Sequence, residues 1–362
     1  MMIDLTELLA TAPFSLYKHE KSALLTAGLT DLTRHHYESC EPYRNILNAI
    51  AFDVQRVSSY DEIPFLPVRL FKELDLLSVP RSEVVKTMTS SGTTGQAVSK
   101  IYLDRETSAI QMKVLTKIVS SFIGGQRLPM LILDAPSVLK DRAMFSARGA
   151  GILGFSLFAS DKAFAFDDNM GLDSTVIDRF LEKHKGKNIL LFGFTFMIWQ
   201  HFYKELLKLG TYYDLSRGIL IHGGGWKKLT SEAISSADFR KRLHEVCGIT
   251  RIHDYYGMVE QTGSIYMECQ QGHLHASIFS DVVIRRPLDF TPAHFGERGI
   301  VEVVSLLPRS YPGHALLTED EGVVLGEDDC PCGRLGKYFR ILGRLKNAEV
   351  RGCSDAYAAR FF

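Results

Sequence analysis

Cysteine is scarce and scattered in this chain: six residues in 362, at Cys40, Cys247, Cys269, Cys330, Cys332 and Cys353. That excludes a disulfide scaffold, which crowds thiols into a short chain. An excess of one charge is missing as well. Lys plus Arg and Asp plus Glu each number 42, so the net charge is zero. With no chain-wide basic field to hold a polyphosphate, nucleic acid is not an expected partner. Long apolar runs are also lacking. The most apolar stretch, Ile189 to Trp199, contains Gly193 and Thr195 and is well short of the ~20 residues of a membrane helix. The opening MMIDLTELLATAPF has neither the basic flank nor the apolar region of a secretory signal. The expectation is a cytoplasmic protein with no integral membrane segment.

What is present is ordinary globular composition, 46% hydrophobic and 23% charged, in a chain long enough to bury a large core. Leu5, Leu8 and Leu9, then Tyr43, Ile46, Leu47 and Ile50, recur at helical spacing, so the first fifty residues read as helix. Pro64, Pro67 and Pro80 break the next stretch into short extended pieces. Residues 105–123, 197–209 and 231–246 read as helices. Strands are expected at 101–103, 129–134, 188–193 and from 218 into a glycine turn. Beyond about residue 260, short β-rich runs at 281–286, 299–306 and 322–325 alternate with Pro and Gly turns. The expected fold is an α/β parallel-sheet core followed by a β-rich subdomain.

Three segments carry chemistry. Thr89-Ser90-Ser91-Gly92-Thr93-Thr94-Gly95 joins five hydroxyls to two glycines, so backbone amides and hydroxyls can converge on a triphosphate. It lacks the Gly-Lys-Ser/Thr ending of a Walker loop; taken alone, it reads more readily as a polar turn. Asp254-Tyr255-Tyr256-Gly257-Met258-Val259-Glu260 offers an aromatic face beside a glycine for a flat base, with a carboxylate for hydrated magnesium. Its tyrosines have a plain packing alternative. Gly223-Gly224-Gly225 follows a strand closely enough for a ligand to lie on the backbone, or it is a simple turn. The run LLFGFTFMIWQHF (190–202) reads as core or as the lining of an acyl pocket. His222, His253 and His314 flank these motifs, with packing or hydrogen bonding as the simpler role.

In this order along the chain, the segments resemble the adenylate-forming enzymes, the superfamily of acyl-CoA synthetases. The resemblance implies that the 89–95 loop handles the ATP phosphates, that Gly223–Gly225 and the 254–258 segment seat adenine, and that Glu260 holds Mg2+. It further implies that Asp320, in Thr318-Glu319-Asp320, and Arg344, after Gly343, grip the ribose and nucleotide. IPFLPVRLFKELDLL, SLLPRSYPGHALLTED and DDCPCGRLGKYFRILGRLKNAEVRGCSDA narrow it to the acyl-protein synthetase family, the fatty-acid-activating subunit of the bacterial luminescence fatty acid reductase.

The implied fold is the large N-terminal adenylate-forming domain, residues 1–342 with a β-rich subdomain from about 265, then a truncated C-terminal segment, 343–362. The C-terminal-domain lysine that promotes adenylation has no counterpart, so Lys227, Lys346 or another cation must supply that charge, with Arg344 a further candidate. Lys100 stands where the phosphate loop usually continues with Pro-Lys. Cys353, beside Arg351, matches the cysteine that the family acylates: a thiolate attacking an acyl adenylate. Cys330 and Cys332, with Cys269 and His275 (or His273), make a candidate structural zinc site, also implied by related phenylacetate-CoA ligase-type enzymes; reduced thiols on a turn are the alternative.

The expected function is ATP-dependent activation of a long-chain fatty acid to acyl-AMP and transfer to Cys353. The acyl group then passes to a partner reductase or acceptor protein. The alternatives are an acyl- or aryl-CoA ligase, an acyl-activating enzyme of surface polysaccharide synthesis, and a nucleotide-binding subunit without turnover.

Overall fold

The computed structural model describes residues 5–90, 98–139, 147–226 and 232–345. They form two compact units. Residues 122–256 supply a parallel sheet. Its strands β4 (Leu128–Ile132), β5 (Ala159–Phe164), β6 (Ile189–Phe194), β7 (Gly218–Gly223) and β8 (Arg251–Tyr256) are ordered β8-β7-β6-β4-β5. β6 and β7 are buried along nearly their whole length. That burial on both faces explains why they read in sequence as continuous apolar runs and not as alternation. Helices Ser174–Lys183 and Ser236–Cys247 connect strands of this sheet, each started by a side-chain cap, Asp173 onto the Val176 N–H and Ser235 onto the Asp238 N–H.

The other unit combines residues before 122 with those after 256. Its sheet runs β11 (Ser280–Arg285), β12 (Gly299–Ser305), β13 (Ala315–Glu327), β14 (Lys337–Arg344), β10 (Leu274–His275) and β9 (Tyr266–Glu268), antiparallel throughout. The two-residue β1 (Leu66–Pro67) lies parallel to β13. A separate hairpin pairs β2 (Lys86–Thr89) with β3 (Lys100–Leu103).

The first fifty residues are helical at Leu5–Leu8, Lys18–Ser39 and Glu41–Ala49, with a break before Lys18. They belong to the β-rich unit and not to the parallel sheet. The reason is the stripe Leu25, Leu29 and Leu32, which packs on Val283, Val304, Leu306 and Ala315 of the antiparallel sheet. The helix expected over 105–123 spans Arg105–Ile123. That expected at 197–209 opens with a π-helical stretch, Ile198–Tyr203, before Lys204–Leu209. Trp199 is held there, stacked on Tyr203 at 4.4 Å with its indole N–H donating to Glu232. Among the described residues no helix is long and apolar enough to cross a membrane.

Candidate functional site

In the parallel-sheet unit, β7 ends at Gly223 and the chain continues through Gly224 (φ 85°) and Gly225 (φ 58°). Both lie in the left-handed region, where a side chain is strained. A Cβ on Gly223 would stand 2.8 Å from the Tyr255 ring, and one on Gly224 2.7 Å from the Phe194 ring. Parallel pairing sets the neighbours, with Gly223 opposite Tyr255 and His222 opposite Asp254. His222, which is buried, places Nδ1 2.9 Å from Thr195 Oγ1 and 3.6 Å from Asp254 Oδ1. The Thr195 hydroxyl also donates to the Gly223 carbonyl. One threonine thus ties the glycine strip to the histidine before it. Nothing in the sequence pattern marks Thr195, because the tie exists only once β6 and β7 are paired. Tyr256 completes β8; His253 meets Phe122 edge-on at 5.2 Å.

In the β-rich unit, Thr89 ends β2 directly opposite Lys100 on β3. The Ser90 N–H donates to the Ser99 carbonyl and the Ser99 N–H to Ser90 Oγ, which closes the neck of the hydroxyl-glycine loop. Lys100 therefore stands at the base of that loop. Ser91, Gly92, Thr93, Thr94 and Gly95 lie outside the described residues, as do Lys227, Lys346, Arg351 and Cys353. Gly257 is exposed, Met258 is half-buried, and Glu260 is buried in the short turn Val259–Gln261. Two contacts fix that turn: Tyr311 OH donates to the Glu260 carbonyl, and the Gln261 amide donates to the carbonyls of Val303 and Gly313. Asp320 and Arg344 are register partners across β13 and β14, with Arg344 Nε 3.8 Å from Asp320 Oδ1.

The same unit gathers Cys269, His275, Cys330 and Cys332, one donor atom from each, all within 4.8 Å of one another. Two tight turns bring them together. The Gly272 N–H returns to the Cys269 carbonyl and the Gly333 N–H to the Cys330 carbonyl. Both glycines have positive φ, 77° and 80°. His275 reaches the cluster from β10, its Nε2 3.3 Å from Cys332 Sγ. His273 lies at the margin, Nδ1 3.4 Å from Cys330 Sγ and stacked on Tyr338.

These four groups fit a tetrahedral cation, because Zn–S bonds of about 2.3 Å imply ligand separations of about 3.8 Å. Burial pushes the Cys330 thiol up to about 12 and raises Cys269 as well, while it drives His275 down to about 3. A neutral imidazole is ready to ligate. Two buried thiols that resist ionisation need a cation to hold them as thiolates.

Comparison with known proteins identifies the family of the chain. Residues 2–362 match the family described as acyl-protein synthetase, LuxE. The long-chain-fatty-acid–luciferin-component ligase of Aliivibrio fischeri is 24% identical over 336 residues, covering 89% of this chain and 85% of that protein. Its counterpart from Vibrio harveyi is 23% identical over 355 residues, covering 94% and 89%. Among solved structures, an open conformation of 2-hydroxyisobutyryl-CoA ligase in complex with 2-HIB-AMP and CoA superposes with a TM-score of 0.68. It is 17% identical and covers 93% of this chain and 77% of that one, a likeness of fold. The match runs along the whole sequence, and the chain belongs to the acyl-protein synthetase family.

Proposed function

We propose that the protein is an ATP-dependent ligase that activates a long-chain fatty acid and carries it as a thioester. The observation that carries this is the whole-chain match to the acyl-protein synthetase family. It is supported by the glycine strip, exposed at Gly224 and Gly225, and by the paired Asp320 and Arg344. In the first step the fatty acid carboxylate attacks the α-phosphorus of ATP, forming acyl-AMP and releasing pyrophosphate. Thr89 to Gly95 cradle the departing phosphates, and Lys100, Lys227 and Arg344 supply positive charge as it develops there. Glu260 is the residue that would hold Mg2+, which neutralises phosphate charge when bound. Gly223–Gly225, Asp254, Tyr255, Tyr256, Gly257 and Met258 seat the adenine, and Asp320 accepts from the ribose hydroxyls. In the second step the Cys353 thiolate attacks the acyl carbonyl, a C–S bond forms, and AMP leaves. The acyl group then passes to a partner acyl reductase or acceptor protein. Cys269, His275, Cys330 and Cys332 hold a structural zinc remote from these steps in role, because nothing in the chemistry calls on it.

Intact-protein mass spectrometry after incubation with Mg-ATP and a long-chain fatty acid tests this. The expected result is a hydroxylamine-labile acyl adduct on the wild type that is absent from Cys353→Ser, while pyrophosphate exchange into ATP persists in the variant. Exchange without any adduct would leave adenylation standing and remove Cys353 from the mechanism. A CoA-dependent release of AMP would favour the CoA ligase reading.

A further inference from the structure

A chain of hydrogen bonds lies at the root of the glycine strip. β6 and β7 pair in parallel with Gly193 opposite His222 and Phe194 opposite Gly223. Thr195, the residue after β6, thereby comes beside the last carbonyl of β7. A carbonyl only accepts, so the Thr195 hydroxyl directs its proton to the Gly223 carbonyl, 3.2 Å away, and accepts from His222 Nδ1 at 2.9 Å. His222 thus carries a proton on Nδ1, where Asp254 Oδ1, 3.6 Å off, favours it. Thr195 and His222 are both buried, so water does not compete for these bonds. Asp254 is the register partner of His222, and the chain crosses three neighbouring strands, from β8 through β7 to the end of β6.

Resting on the reading that the strip seats the nucleotide, we infer that Thr195 and His222 are positioning residues that aim the peptide between Gly223 and Gly224 at the bound nucleotide. A peptide unit is planar and trans, so its N–H points opposite to its carbonyl. With the Gly223 carbonyl held by Thr195, the Gly224 N–H is turned away from Thr195. Gly224 is exposed, and its N–H donates to no group among the described residues. Two successive glycines, the second at φ 85°, give that peptide plane little steric restraint of its own. The threonine supplies the restraint, and the histidine fixes which way the threonine hydroxyl points. Without them the plane turns freely, and a donor preset for an acceptor atom of the nucleotide has to be ordered on binding. Neither side chain is a catalytic residue: the effect reaches the reaction through ATP affinity and leaves the acid untouched.

The test is ATP–pyrophosphate exchange with a long-chain saturated acid on wild type, Thr195→Val, Thr195→Ser, His222→Gln and His222→Asn. Serine keeps the hydroxyl and asparagine keeps an N–H near the place of Nδ1, whereas valine and glutamine break the chain. The expected result is a KM for ATP raised about tenfold in Thr195→Val and about threefold in His222→Gln, the scale of one aligned hydrogen bond. KM for the acid stays within about twofold throughout, and the serine and asparagine variants stay within about twofold of wild type for ATP. Near-ultraviolet circular dichroism identifies any variant that fails to fold; if Thr195→Val does, the two His222 variants decide the matter. Photolabelling with an azido-adenine analogue of ATP locates the nucleotide, because trypsin cutting after Arg217 and Lys227 releases the strip as residues 218–227. Label on that peptide, with wild-type KM for ATP in the folded valine and glutamine variants, would overturn the positioning pair and leave the strip reading intact. A rise in both KM values that serine and asparagine do not rescue would also overturn it, as a merely structural effect. Label absent from that peptide in wild type that still exchanges would overturn the strip reading, and the pair's role with it.

Discussion

In the β-rich unit His36 and His314 stack face to face at 4.9 Å, both buried. Their hydrogen bonds make Nε2 the donor on each ring. His36 Nε2 donates to the Pro308 carbonyl while Nδ1 faces Ser78 Oγ at 2.7 Å. The Thr33 hydroxyl donates to the Leu29 carbonyl and so accepts from His314 Nε2. Burial drives His314 down to about 3 and His36 well below its ordinary value, with His314 and the neighbouring His35 opposing charge on His36 further. A base whose folded pKa is depressed contributes fully above its unfolded value, near 6.5, and that contribution is lost as pH falls from there toward the folded value. Urea unfolding should therefore show stability falling between pH 6.5 and 4 by about 1.4 kcal/mol per pH unit for each imidazole. His314→Asn should remove about half of the slope due to this pair. A variant slope equal to that of the wild type would exclude the histidine origin. From sequence, His314 reads as a packing or hydrogen-bonding residue beside a motif. Its partners, 281 and 271 residues away at Thr33 and Tyr43, are set by tertiary packing that no local pattern records.

At the scale of elements, the helix Lys18–Ser39 docks by more than its leucine stripe. Lys21 is wholly buried, its ammonium 3.3 Å from Asp281 on β11 and 3.2 Å from the Ala276 carbonyl. Tyr60 donates to the same carboxylate, and Lys337 donates to Tyr60. Although burial works against the charge, Lys21 and Lys337 hold the Asp281 carboxyl below its usual range. Removing one partner strands the other, so Lys21→Met should cost about 3–5 kcal/mol in denaturant unfolding. Adding Asp281→Asn should return part of that loss, the non-additivity expected of a coupled pair. Additive losses would show that the two do not act together. Element identity is legible in Arg105–Ile123 from its helical period and in β4 and β6 from their short apolar runs; after residue 260 the expected runs meet β11, β12 and part of β13, while β9, β10 and β14 carry no such signal. The π-helical stretch at 198–203 is not legible, because Ile198, Trp199, Phe202 and Tyr203 suit an ordinary helix just as well. The run 190–202 left core and pocket lining open. In the structure Leu191 and Phe196 through Trp199 join the main core, Phe194 packs against that core and Gly224, and Phe192 stacks on Phe155.

For the molecule as a whole, the motifs were more legible than the assembly that carries them. Asp320 and Arg344 could be paired by resemblance alone, and β13 and β14 place them on one rung. The division of the chain was harder to see, because the β-rich unit takes residues from both sides of the parallel sheet's segment. The zinc proposal is best tested at this scale. Purified protein should contain about one equivalent of zinc by elemental analysis. Extraction with a chelator should lower the thermal midpoint and deprotect amides in β9, β10 and β14 while leaving β4, β6 and β7 protected. Cys330→Ser should reproduce both effects. Metal-free protein of unchanged midpoint would point to reduced thiols on a turn instead.

The placement of those four residues, if they hold zinc as proposed, also has a consequence for the unfolded chain. Cys269 and His275 sit on one turn and hairpin, and Cys330 and Cys332 on another, about sixty residues further on. A cation shared between them pins a long loop before any of the intervening sheet is paired. Closing a loop of that length lowers chain entropy by an amount worth about 4 kcal/mol if a covalent link did it. β11, β12 and β13 all lie inside this loop. Zinc bound early would shorten the search of three strands for their register, so a chain folding without it would fold more slowly as well as end less stable.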